Sequence, residues 1–267
     1  MAANIAKESV TIEGYEPLRA AAEKKSKLYK SHKGPYFIYS MLAGLFVGFC
    51  MILIMVIAGL LGGWAMLKMV QGASFAAALS LIVYAGSELF TGNVFTMTTG
   101  YMMRKVTVAV GVGLVVFCWL GNFAGSIVVA ALYQGTGLLS GATLEAVNAA
   151  VWSKTDGTFI ELFFRGIGCN VLVCLAVWAC YRMTSEAGKL IMIFWCIYLF
   201  VVMGFEHSIA NMTLFSLEVF GGTSSEVVAR MAKNLAASTL GNAVGGMALA
   251  YAYWPIARGL TKVAAQK

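Results

Sequence analysis

The stretch GFEHSIANM (204–212) interrupts an apolar run that extends from Leu190 to Phe220. It places Glu206 beside His207 in a segment that is otherwise apolar enough to cross a membrane. Ionisable side chains at membrane depth are costly, and they face a pore or a protein interior rather than lipid. The stretch therefore predicts a polar site inside a membrane protein.

A second interruption, GSELFTGN (86–93), stands earlier in the chain and has the same order of residues. In both, a glycine precedes a glutamate, and an asparagine follows that glutamate five residues later: Glu88 with Asn93, and Glu206 with Asn211. Two broken apolar segments at matching places in two halves indicate a transporter or channel site at a repeat interface.

The composition excludes an ordinary soluble domain. Of the 267 residues 60% are hydrophobic and 12% are charged, with a mean hydropathy of +0.80, against about 25% charged residues in soluble domains. The net charge of +7 lies mostly in the N-terminal segment and in short loops on one predicted side. That distribution is a signal of membrane orientation, so no nucleic-acid partner is expected.

The pattern predicts an all-α integral membrane protein in which helices 2 and 5 are interrupted. Residues 1–34 are predicted to be a cytoplasmic arm without a signal peptide, 35–257 the transmembrane domain, and 258–267 a cytoplasmic tail. A short helix over 15–33 would place Leu18 and Ala22 against the membrane, or the arm is a solvated basic tail. The six predicted spans are 36–64, 74–105, 106–133, 158–182, 188–220 and 235–254, with a polar connection between the third and fourth.

Lysine and arginine residues set the expected orientation. With both termini inside, the inner segments hold fourteen of them and the outer loops hold four. This asymmetry predicts cytoplasmic N and C termini.

The third and sixth spans share a motif that supports a repeat. GNFAGS (121–126) and GNAVGG (241–246) both read G-N-x-x-G. Three spans in each half would place the halves in opposite orientations, as an inverted repeat. Glycines four residues apart allow two helix backbones to approach closely.

The breaks predict anion binding. A half-helix that begins at a break points its N-terminus inward, where its free N–H groups and dipole favour an anion. Glu88 and Glu206, with Asn93 and Asn211, are interpreted as structural, because a carboxylate accepts hydrogen bonds from the N–H groups that a break exposes.

His207 has no counterpart in the first half, where Leu89 stands at the matching place. A buried histidine can donate to an anion and titrate near neutral pH, and this asymmetry favours a functional role over a core histidine. Thr91 offers a hydroxyl to the same point. Five apolar residues near the breaks either pack as core or narrow a pore: Phe75, Leu79, Leu89, Phe90 and Phe200.

No enzyme site is expected. The six cysteines lie in apolar segments without a C-x-x-C pair, and two histidines make no metal cluster, so no catalytic, metal or cofactor site is predicted. A neutral-solute pore of the water/glycerol type is the rival, but neither Asn93 nor Asn211 precedes a proline as that family's motif requires.

GSELFTGN (86–93), GFEHSIANMTLF (204–215) and FFRGIGCNVLVCLAVW (163–178) resemble the formate/nitrite transporter family, most of all its nitrite channel branch. The resemblance covers about residues 15–257. It implies an aquaporin-like fold, a homopentamer with one pore in each protomer, and a bacterial inner membrane location. The expected function is passage of small weak-acid anions, nitrite first, with formate or hydrosulfide as the alternatives.

The resemblance also implies roles for single residues. His207 and Thr91 would flank the pore centre, Asn170 would contact it, and Lys154 would attract anions at the outer mouth. Leu79 and Phe90 would form the inner constriction and Phe75 and Phe200 the outer one, with Leu89 on the loop of the first break.

Overall fold

The computed structural model describes residues 14–266, with side chains described for 14–254. Residues 1–13 of the predicted arm and the side chains of the predicted tail lie outside this description. The described backbone is helical and contains no strand. Its helices are α1 (Tyr15–Ser31), α2 (Lys33–Leu60), α3 (Leu67–Phe75), α4 (Ala77–Ala85), α5 (Phe90–Met102), α6 (Val108–Gly135), α7 (Gly141–Thr155), α8 (Phe159–Arg182), α9 (Glu186–Val202), α10 (Ser208–Gly221) and α11 (Ser225–Gln266).

Within the described residues, four segments are long and apolar enough to cross a membrane by themselves: α2, the consecutive α3 and α4, α6, and α8. A helix rises about 1.5 Å per residue. The 28 residues of α2 therefore reach roughly 42 Å, more than the roughly 30 Å of a hydrocarbon core. We call the end of the bundle where α1 lies the α1 face, and the opposite end, where α7 lies, the α7 face.

Three segments differ from the sequence-based prediction. α3 begins at Leu67 rather than near residue 74, and Gly72 packs against Tyr198 of α9. The predicted polar connection contains α7, because Val147 and Val151 are four residues apart and both fully buried against the bundle. The backbone of α11 stays helical beyond the predicted end of the sixth span at residue 254.

α1 packs on the protein rather than on a membrane surface or in solvent. Leu18 and Ala22 are fully buried, and Ala22 lies against Gly100 near the end of α5. Lys25 also turns inward, toward Glu88. The short helix expected over 15–33 is therefore present, but its apolar stripe meets a complementary surface of the bundle rather than a membrane surface or solvent.

Two short helices begin in the middle of the bundle. α4 ends at Ala85 and α5 begins at Phe90, while α9 ends at Val202 and α10 begins at Ser208. The far end of α5 packs on α1, whereas Gly221 at the far end of α10 packs on Leu144 of α7. The N-termini of α5 and α10 therefore point at each other from opposite faces.

Close helix packing holds this arrangement. A side chain at Gly125 of α6 would overlap the carbonyl oxygen of Met41 in α2, and one at Gly245 of α11 would overlap that of Ile167 in α8. The G-N-x-x-G motifs thus lie where α6 meets α2 and where α11 meets α8, as expected for small residues between membrane helices.

Candidate functional site

The two half-helix N-termini meet at Thr91 and His207. Thr91 is the second residue of α5, and His207 immediately precedes α10. The Thr91 Oγ1 and His207 Nε2 atoms are 3.2 Å apart, and both residues are buried. The positive ends of two helix dipoles converge on this pair, which favours negative charge beside it.

The hydrogen bonds of His207 define its tautomer. Its Nδ1 accepts from the backbone N–H of Ala210 at 3.2 Å, so the imidazole caps α10. An atom that accepts from a backbone N–H carries no proton, and the neutral ring therefore holds its proton on Nε2. Nε2–H then donates to the Thr91 hydroxyl, whose own O–H hydrogen is left available for a ligand.

Two asparagines hold the breaks in matching ways. Asn122 accepts from the Phe90 N–H at 2.9 Å and donates to the carbonyl oxygens of Ser40 and Glu88 at 2.7 and 2.8 Å. Asn242 accepts from the Ser208 N–H at 2.9 Å. It also donates to two backbone oxygens at 2.8 Å, those of Gly166 and Glu206. Each asparagine thus satisfies backbone groups that a break removes from regular helix.

Glu88 forms an ion pair on the α1 face. Both of its carboxylate oxygens lie 2.7 Å from Lys25 Nζ, and Asn93 Nδ2 and the Tyr36 hydroxyl also donate to it. Burial lowers the pKa of Lys25, but the Glu88 carboxylate and other neighbours more than offset this and leave that pKa above its ordinary value. The lysine is therefore charged at neutral pH.

Glu206 forms the corresponding ion pair on the α7 face. Lys154 Nζ lies 3.2 and 3.1 Å from its two oxygens. Asn211 Nδ2 and Asn234 Nδ2 donate to the same carboxylate at 2.6 and 3.3 Å. The charge of Lys154 is thus already balanced by a buried carboxylate, which reduces the field that it can exert on an approaching anion.

We expect Lys154→Gln to destabilise the protein, because it leaves the buried Glu206 carboxylate without its cation. The cost is about 2–4 kcal/mol, near the lower end for breaking a buried pair, since the Lys154 side chain keeps 25% of its surface exposed. Thermal unfolding followed by gel filtration in detergent measures it. The double variant with Glu206→Gln should recover most of the loss, and equal midpoints for wild type and single variant would contradict the assignment.

Asn170 lies beside the central pair. Its Nδ2 donates to the Thr91 carbonyl at 3.3 Å and to the Asn242 carbonyl at 2.6 Å. Cys174, one turn later on α8, also donates to the Thr91 carbonyl, at 3.4 Å. These contacts tie the first turn of α5 to α8, so Asn170 is placed to orient Thr91 through its backbone.

The five apolar candidates are all buried. Phe200 stacks on the His207 ring at 5.9 Å between centroids, and Phe75 meets Phe200 edge-on at 6.0 Å. Leu79 and Leu89 instead line a cavity on the α1 face, and Phe90 is not part of that lining. Leu89 therefore accompanies Leu79 in the wall of that cavity.

The cavity has a volume of about 1140 Å³ and opens between α1, α4 and the end of α8. Its wall includes the Lys25 and Glu88 pair, and it reaches Gly92 in the first turn of α5, next to Thr91. A solute entering from the α1 face could thus reach Gly92, the residue that follows Thr91 in the chain.

Sequence reasoning did not identify five of the site's polar residues: Lys25, Tyr36, Asn122, Asn234 and Asn242. The G-N-x-x-G repeat was interpreted only as close packing of glycines. Its two asparagines could have indicated the residues that hydrogen-bond to the breaks. Lys25 gave no such signal, because it stands among other lysines of the arm.

The chain is similar to known proteins of one family. The family model described as Formate/nitrite transporter matches residues 13–255. The chain is 39% identical over 238 residues to a protein named Nitrite transporter NirC from Escherichia coli (strain K12), with 88% of each chain covered.

Two solved structures are also similar. One, titled FNT family ion channel, superposes with a TM-score of 0.86 at 36% identity and covers 91% of this chain and 98% of its own. The other, titled Pentameric formate channel with formate bound, gives a TM-score of 0.70 at 27% identity, with 89% and 98% covered.

Proposed function

The chain belongs to the formate/nitrite transporter family, and from this membership we propose that it passes small monovalent weak-acid anions, nitrite first, across a bacterial inner membrane. It is a transport protein and not an enzyme, since the family and its relatives are transporters and channels. Nitrite comes first because a relative that shares 39% of its residues is named a nitrite transporter.

The observation that carries the proposal is the contact between Thr91 and His207, at 3.2 Å, where two half-helix N-termini converge. Both the helix dipoles and the available hydroxyl hydrogen of Thr91 favour an anion at this point. We assign Thr91 and His207 to the pore centre. Asn170 is assigned to orienting Thr91.

The proposed architecture is a six-span inverted repeat. Matching backbone contacts support it: the Glu88 N–H donates to the Tyr39 carbonyl, and the Glu206 N–H donates to the Arg165 carbonyl. The matching ion pairs on opposite faces, Lys25 with Glu88 and Lys154 with Glu206, support it as well. A homopentamer is proposed because a similar structure is titled a pentameric channel.

The proposed orientation places the α1 face and both termini in the cytoplasm, and the α7 face outside. Leu79 would then lie at the inner constriction, with Leu89 or Phe90, and the edge-on pair Phe75 and Phe200 at the outer one. Such apolar narrowings pass a small ion or its neutral acid and exclude larger hydrated solutes.

His207 has two ways of acting on the anion. As the neutral tautomer it can turn its Nε2–H from the Thr91 hydroxyl to the anion, and this donor stabilises the anion in the dry zone. As a proton donor it must first gain a proton on Nδ1, which displaces the Ala210 N–H and uncaps α10. Proton-linked transport through His207 therefore couples protonation of the ring to loss of the cap at the N-terminus of α10.

Flux measurements in liposomes test the proposal. We expect nitrite to enter faster than formate, hydrosulfide or chloride, with no swelling in glycerol. Faster passage of formate or hydrosulfide would identify that anion as the substrate and assign the chain to another branch of the family. Glycerol swelling without any anion flux would contradict the proposal and favour a neutral-solute pore.

The inner constriction has its own test. Leu79→Ala should widen the narrowing and let larger carboxylates such as lactate pass at least about fivefold faster, while nitrite flux changes less. Leu81→Ala is the matched control, since Leu81 stands on the same helix with 41% of its surface exposed. If the Leu79 variant excludes lactate as well as the control does, Leu79 is core and the gate lies elsewhere.

A further inference from the structure

The cavity on the α1 face has an unbalanced positive charge in its wall. Three lysines and two glutamates line it: Lys24, Lys25, Lys189, Glu88 and Glu186. Lys25 is paired with Glu88 at 2.7 Å, and Lys189 is paired with Glu186 at 2.6 Å. Among the described side chains, the excess charge of the wall is that of Lys24.

Lys24 differs from its neighbours on α1. No carboxylate of a described side chain lies within the 4.0 Å of its ammonium that would define an ion pair. Lys27 and Lys30 are exposed on the same helix, yet neither lines the cavity. Lys24 therefore combines an unbalanced charge with a position in the cavity wall.

We infer that Lys24 sets the electrostatic potential of this cavity and concentrates small anions at the inner end of the transport path. This role rests on the proposed function, because it supplies the anion to the central pair. The other two lysines of the wall cannot fill it, since each faces a carboxylate at hydrogen-bond distance. A charged mouth with low-dielectric walls raises the local concentration of ions of the opposite sign.

The magnitude follows from Coulomb's law. A unit charge about 10 Å from an ion in water changes the local concentration of that ion about twofold. The effect should be largest at about 0.01 M ionic strength, where the Debye length is about 30 Å, and should vanish at about 1 M, where it is about 3 Å.

A native cysteine allows the potential to be measured without transport. Cys180 lines the same cavity and is partly exposed, whereas the other five cysteines are buried. Its thiolate displaces methanesulfinate from a methanethiosulfonate reagent and forms a mixed disulfide. The ratio of the rates for an anionic and a cationic reagent reports the potential, because the thiolate fraction is common to both and cancels.

The experiment compares this rate ratio in wild type, Lys24→Gln, Lys24→Glu and the control Lys27→Gln, with Cys180→Ser to confirm the labelled site. We expect the anion preference to fall about fourfold in Lys24→Gln and about sixteenfold in Lys24→Glu at low salt. Lys27→Gln should change it by less than about 1.5-fold. Equal ratios in Lys24→Gln and Lys27→Gln would overturn the inference, whatever the transported anion proves to be.

Nitrite flux provides the second readout. The half-saturating nitrite concentration on the α1 face should rise about twofold in Lys24→Gln at low ionic strength and match wild type at high ionic strength. A shift of the potential at Cys180 with an unchanged half-saturating concentration would overturn the part of the inference that concerns transport.

Discussion

His207→Phe should reduce nitrite flux in liposomes at least about tenfold and flatten its dependence on pH. Phenylalanine keeps the bulk of the ring and its stacking partner Phe200, but it removes both ring nitrogens. The Nε2–H donor beside Thr91 is then lost. A hydrogen bond to a charged group contributes about 1.5–3 kcal/mol, which corresponds to roughly a ten- to hundredfold change in rate.

His207→Asn separates the two ways in which His207 can act. Asparagine is among the best N-cap residues, so the cap that His207 Nδ1 gives to the Ala210 N–H can be kept. It also retains a donor, but it does not titrate near neutral pH. We expect anion passage to persist while proton linkage disappears. Flux against pH gives the answer, with assembly of both variants checked by gel filtration.

Two other outcomes would change the role assigned to His207. If both variants assemble and show the flux and pH profile of the wild type, His207 is a core histidine that caps α10, and the proposed mechanism is wrong. If His207→Asn keeps its proton linkage while His207→Phe loses flux, His207 acts as a hydrogen-bond donor and the proton reaches the anion by another route.

Much of the site was predictable because a polar residue in an apolar segment is costly unless it has a partner or faces a pore. Glu88 and Glu206 stood out as ionisable groups at membrane depth, but the structure gives each of them side-chain donors and a lysine. The backbone N–H groups at the breaks, which were expected to donate to them, donate instead to Asn122 and Asn242. The sequence offered no way to find Lys25, because its partner is 63 residues away and it lies on a helix rich in lysine. Pairing between distant elements is decided by tertiary packing, which a local pattern does not contain.

The helix α7 was missed for a related reason. Its sequence is polar enough to suit a loop, and only the burial of Val147 and Val151 against the bundle distinguishes it. Packing stabilises most short helices more than propensity does. The two asparagines of the G-N-x-x-G motifs were visible in the sequence. Their hydrogen bonds depend on where the backbone of each break lies in the folded bundle, which the motif alone does not show.

The change with the largest expected effect on stability is Asn242→Leu. Leucine keeps the branched shape of asparagine but has neither the acceptor that receives the Ser208 N–H nor the donors that reach the carbonyls of Gly166 and Glu206. The Ser208 N–H and the Glu206 carbonyl lie in the buried second break, where water does not replace the lost partner, whereas the Gly166 carbonyl lies within α8. Each of these two unpaired groups costs about 1–3 kcal/mol, so the total loss should be about 2–6 kcal/mol.

Asn122→Leu should be as damaging as Asn242→Leu, because Asn122 makes the same three kinds of contact at the first break. Gln134→Leu is the control for adding an apolar side chain, since Gln134 is exposed. We expect both asparagine variants to lose the assembled peak in gel filtration and the control to keep it. The Asn242→Leu protein would contradict this expectation if it assembled, unfolded at the wild-type temperature and transported nitrite normally. Other contacts would then hold the second break, and Asn242 would not be required.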